Sequence, residues 1–178
     1  MIRDKEVYPA SQTTYTIIVN SFFLLGTETL TLLGQKELLK EVSFVALKGL
    51  SYEAPRELIL KSLIRGRFAQ NLASINMAKV QVSTAFLIGV FSHIDALFSR
   101  SLQEILQEIS LDNEIKQTLL EIGHNQFSTL YQLMQSYEKG DWEAYSLYLD
   151  EIKINEHDIS KAYREALLWA HELVMCND

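Results

Sequence analysis

Three places in the chain carry side chains able to do chemistry, and each invites a different kind. The first is the adjacent pair His157-Asp158. An imidazole beside a carboxylate offers two ligands to a divalent cation, which would polarise a phosphoryl oxygen and activate water. Two ligands from one segment do not hold such a cation well enough for hydrolysis, so further donors would have to come from other helices. The remaining histidines are His93, His124 and His171. His124 follows Gly123 in an expected loop and His171 lies near the C-terminus, while His157-Asp158 falls at an expected helix start, where Asp is a common cap. No metal and no cofactor are therefore assigned, and His157 and Asp158 stand only as the weaker, metal-binding alternative.

The second place is Ser92-His93-Ile94-Asp95, inside the most apolar run of the chain. At helical spacing His93 points between Phe86 and Leu97, and Asp95 falls near the arc of Ile88 and Phe91. A buried carboxylate needs a partner. Arg65 and Arg67 stand in another segment that is apolar all round, so Asp95 is expected to pair with Arg67 or Arg65 across two helices. Arg65, Arg67, His93 and Asp95 thus form a candidate buried ion pair or polar switch, with the purely structural pair as the plainer version. The third place is Cys176, which lacks a positioned base near its end of the chain. No Gly-x-Ser-x-Gly elbow and no phosphate-cradling glycine loop occurs, so no catalytic residue is assigned.

The elements that must position these groups are helical, and the expected fold class is all-α. Nearly every segment longer than a turn has helical spacing, and Pro9 and Pro55 sit where helices would begin. Leu38, Val42, Val45, Ala46 and Gly49 form one apolar face against Lys36, Glu37, Lys40, Glu41 and Lys48. Pro55 at a first helical position opens a helix from Arg56 to about Ser74 that packs on several sides, because its apolar residues point in nearly every direction. Ser83–Phe98 reads as the central helix. Breaks follow at Ser99–Ser101, Ser110–Asn113, Gly123–Asn125, Gly140–Asp141 and Lys153–Asn155. Gly140 suits a left-handed helix end, Asp141 suits the cap of the next helix, and Asn155 or Asp158 starts the last one. The aromatic residues Tyr131, Tyr137, Trp142, Tyr145, Tyr148, Tyr163 and Trp169 concentrate in the last third, where core packing is the simpler expectation.

Totals narrow the function classes. With 178 residues, 48% apolar and only 7 Gly and 2 Pro, the chain can bury a core and reads as one domain. Its 16 Lys+Arg against 23 Asp+Glu give a net charge of −7, which repels phosphate backbones and anionic lipid, so neither nucleic acid nor membrane is an expected partner. The run TLLGQKELLKEV imitates a DNA-reading helix pair but sets Glu37 and Glu41 where phosphate would lie. A single cysteine excludes a disulfide framework and fits a reducing cytoplasm. The apolar kernel Ile17–Leu25 is too short for a membrane span of about 20 residues.

Taken in order, LTLLGQKELLKEVSFVALKGL (Leu30–Leu50), PRELILKSLIRGRFAQNLA (Pro55–Ala73), TAFLIGVFSHIDALFSRSLQEILQEI (Thr84–Ile109), YEKGDW and YREALLWA resemble the HDOD domain. More narrowly, they resemble the HDOD half of bacterial EAL-HDOD signalling proteins of the YuxH-like kind. The resemblance implies a compact, orthogonal multi-helix fold related to HD phosphodiesterases but lacking their full metal set. It gives His157-Asp158 no catalytic role, since that pair lies far from where the HD motif belongs. Residues 1–29 are then a truncated or atypical lead-in, and residues 30–178 the HDOD-like domain. The implied function is a non-catalytic cytoplasmic signal-transduction module in a cyclic di-GMP pathway. Its expected partners are another protein or an attached EAL-type domain, with self-association where apolar surface is left uncovered. A metal-dependent HD-type phosphohydrolase and a helical interaction scaffold, the latter suggested by YEKGDWEAY, are the alternatives.

Overall fold

The computed structural model describes residues 55–109 and 111–175. The chain divides into two units, Met1–Tyr52 and Glu53–Asp178, and the architecture below is that of the second. The lead-in 1–29, the TLLGQKELLKEV run, the expected amphipathic helix Leu38–Gly49 and Cys176 lie outside the described residues.

The fold is all-α. Among the described residues there are eight helices and no strand: α1 (Arg56–Asn76), α2 (Lys79–Phe91), α3 (Ile94–Phe98), α4 (Leu102–Glu108), α5 (Asn113–Leu119), α6 (Ser128–Lys139), α7 (Trp142–Ile152) and α8 (Glu156–Met175). None of them is long and apolar enough to cross a membrane. Pro55 stands one residue before α1, at the cap, and its carbonyl accepts the amides of Leu58 and Ile59. A proline has no amide of its own to leave unpaired there.

The central helix is α1, and in this the structure corrects the expectation for Ser83–Phe98. Helices α2, α3, α6 and α8 all pack on α1, which buries Leu63, Phe68, Ala69, Leu72 and Ala73 completely. The Ser83–Phe98 run is instead broken at Ser92–His93. Ser92 Oγ donates to the Gly89 carbonyl at 2.7 Å, competing with the helical ladder, and His93 adopts φ −123° and ψ 16° before α3 begins. The start of α2 is also solvated, with Val80 80% exposed.

Two glycines explain how α1 and α2 approach. A Cβ on Gly66 would strike Val90, and one on Gly89 would land on the Arg65 carbonyl and on Gly66 itself. The helices therefore cross backbone against backbone at this point, which only a residue without a side chain allows. Later turns follow the expected chemistry. Gly140 closes α6 at φ 70°, and Asp141 caps α7 by accepting the Ala144 amide at 3.1 Å. Asn155, not Asp158, caps α8, its side chain accepting the His157 amide at 2.9 Å. The aromatic residues are divided: Tyr131, Tyr145 and Trp169 are buried, whereas Trp142 is exposed.

Candidate functional site

A polar centre lies inside this apolar packing, at the crossing of α1 and α2. Arg65 precedes Gly66, so its backbone is held at the closest point of the crossing and its side chain must leave between neighbouring helices. The residue is 7% exposed. Its Nε donates to Glu138 Oε2 at 2.5 Å, and its Nη1 donates to Ser92 Oγ at 3.1 Å. One guanidinium thus ties α1 to the end of α2 and to the last turn of α6. Glu138 is nearly as enclosed, with its side chain 10% exposed. It reaches this position because Tyr131, Met134 and Glu138 share one face of α6.

His93 stands beside the pair at the break between α2 and α3. Its Nε2 is buried without a hydrogen-bond partner. Burial, followed by the positive charges of Arg65 and Lys61, lowers its pKa from the ordinary 6.5 to about 4, against a weaker opposing pull from Asp95. The ring is therefore neutral near pH 7. Burial likewise pushes the Tyr131 phenol up to about 12, although the Arg65 charge works in the other direction. The centre presents one paired cation, one carboxylate, a neutral imidazole and a protonated phenol.

The four residues singled out from the sequence do not all meet. Arg65 and His93 belong to this centre. Arg67 turns elsewhere: its Nη1 donates to Gln70 Oε1 at 2.6 Å, and its guanidinium lies 5.5 Å from the centre of the Trp169 ring. Asp95 is exposed, and its backbone carbonyl accepts the amides of Ser99 and Arg100 at the end of α3. The expected pairing of Asp95 with Arg65 or Arg67 is thus corrected to Arg65 with Glu138. The physical reason is the break at Ser92–His93, which resets the helical phase and swings Asp95 off the arc of Ile88 and Phe91. Sequence reasoning missed Glu138, although a carboxylate in register with Tyr131 and Met134 was a usable signal.

His157 is exposed and Asp158 half-buried in the first turn of α8. His171 is exposed further along the same helix. His124 lies 3.7 Å from Glu151, at a small cavity also lined by Glu121, Tyr131, Gln132 and Tyr148. Among the described residues, no group of three or more His, Cys, Asp or Glu side chains is arranged to hold a metal ion.

Comparison with known proteins gives two similar sequences. Over 146 residues, 82% of this chain, it is 31% identical to the cyclic di-GMP phosphodiesterase CdgJ of Vibrio cholerae. Over 151 residues, 83% of this chain, it is 32% identical to the uncharacterized protein YuxH of Bacillus subtilis. The matched parts make up 34% and 36% of those proteins, so the chain spans about a third of the length of each. No family model matches the chain, and no solved structure matches it.

Proposed function

We propose that this chain is an HDOD-type regulatory module of a cyclic di-GMP pathway, without catalysis of its own, acting in the bacterial cytoplasm by contact with a protein partner or an attached EAL-type domain. The observation that carries the reading is the likeness, across more than four fifths of the chain, to about a third of a protein named a cyclic di-GMP phosphodiesterase. The residues support a regulatory role by the use they make of their buried charge. Arg65, which would otherwise be free to meet a phosphate, is committed to Glu138 and Ser92 and so links three helices. Such a linkage is made or broken as a unit, and a partner that favours one arrangement of α1, α2 and α6 shifts the population toward it.

The test is elemental analysis of the purified chain for metal, together with hydrolysis of cyclic di-GMP and of a generic phosphodiester with added manganese. The expected result is no stoichiometric metal and no turnover. Stoichiometric metal with turnover that is lost on changing His157 or Asp158 overturns the reading in favour of a metal-dependent phosphohydrolase.

A further inference from the structure

Two sequence features left without a role above, YEKGDW and His157-Asp158, come together on the surface. The end of α6, the start of α7 and the start of α8 form an open groove lined by Tyr137, Trp142, Asn155, Glu156, His157 and Ser160. Trp142 is the first residue of α7 and is 61% exposed. Tyr137 and Tyr145 meet its indole at 6.2 and 5.8 Å and at 86° and 87°, so neither stacks flat on an indole face. A large aromatic ring is held in place by two others while much of its own surface faces water. An exposed tryptophan anchored in this way is a typical centre of a binding surface.

Acids outnumber bases around the ring. Glu156 lines the groove and makes no ion pair among the described residues. Asp141, Glu143 and Asp158 stand close by in sequence, as do Lys139, which donates to Gln135, Lys161, which lies against Glu165, and Lys153, three residues before Glu156. Behind the groove, Tyr145 is 5% exposed, and its hydroxyl is buried with no hydrogen-bond partner. A divalent cation would find only Glu156 and His157 as charged or imidazole donors in the lining, short of a binding set. A nucleic acid would meet repulsion. An arginine side chain fits both features, because its planar, weakly hydrated guanidinium stacks on an indole and also donates to a carboxylate in a fork.

We propose that this groove docks an arginine-bearing segment of a partner protein, the guanidinium stacking on Trp142 and donating to Glu156. The inference rests on the reading above only in that the chain works through protein contact. It is tested by panning random dodecapeptides displayed on phage against the full chain, then measuring the affinity of synthesised winners for the full chain, Trp142→Ala and Glu156→Gln. Recovered peptides should share an arginine, and each substitution should weaken them by about tenfold or more. Glu156→Gln keeps the shape of an exposed side chain, so it decides the matter if Trp142→Ala loosens α7. Recovered peptides that lack arginine, or binding that both variants retain, overturn the proposal. A groove that takes no arginine peptide, in a chain free of metal and turnover, sinks this inference alone. An arginine-binding groove in a chain that hydrolyses cyclic di-GMP sinks only the regulatory reading.

Discussion

Arg65–Glu138 and Arg100–Glu108, both among the described residues, are Arg–Glu pairs of similar chemistry in opposite surroundings. Arg65 and Glu138 have side chains 8% and 10% exposed, whereas those of Arg100 and Glu108 are 45% and 36% exposed. The surface pair has the more regular geometry, a two-pronged contact at 2.6 and 3.0 Å that holds the Glu108 carboxyl below its usual range through the hydrogen bond from Arg100. Geometry nevertheless does not decide which pair matters. Water already solvates both charges of the exposed pair, so breaking it costs little. In the interior each partner is the other's chief replacement for water, so losing one strands the other.

The comparison is broken most sharply by Glu138→Ala, which leaves the Arg65 cation buried with Ser92 Oγ as its one hydrogen-bond partner among the described residues. Urea denaturation should show a loss of about 3–5 kcal/mol, and the double replacement Arg65→Met with Glu138→Leu should recover most of it. A double variant as unstable as Glu138→Ala would mean that packing, not charge, sets the cost. Next in size is Gly89→Ala. Its methyl group would press on the Arg65 carbonyl and push α1 from α2, at a cost of about 1–3 kcal/mol in the same assay. Ser92→Ala removes one hydrogen bond from the guanidinium and should cost about 1–2 kcal/mol, less than losing Glu138.

A smaller effect concerns pH. Because the folded state holds His93 near pKa 4 and the unfolded state near 6.5, the unfolded chain binds the extra proton first. The stabilisation is complete above pH 6.5 and is lost as pH falls toward 4. Thermal melts across that window should slope less in His93→Gln than in the parent chain, and equal slopes would remove His93 as the cause. At the end of the scale, Glu108→Ala should leave the melting temperature within measurement error. A clear drop there would show that exposure fails to separate the two pairs.

Much of the helical plan was readable because it follows from local rules. Gly140 reaches its left-handed turn, Asp141 caps α7 and Asn155 caps α8 through chemistry confined to a few neighbouring residues. The candidate site was legible only in part. Arg65 was reached only as one of two arginines in an all-round apolar helix offered to a buried Asp95. Its partner was out of reach because no single helical phase runs through Ser92–His93, where the side chain of Ser92 bonds back to Gly89. The prominence of α1 over α2 was equally out of reach, since both are strongly apolar and only contacts from helices distant in sequence separate them.

What the sequence by itself determined, then, is the all-α class, the turns that divide the helices and the need of a buried charge for a partner. These depend on periodicity, on residues that tolerate particular backbone angles, and on the cost of burying a lone charge. Which carboxylate answers, and which helix lies at the centre, were decided only by the tertiary structure. Glu138 is 73 residues from Arg65 along the chain. Only the packing of α6 on α1, with α1 and α2 crossing at Gly66 and Gly89, brings that acid to that base.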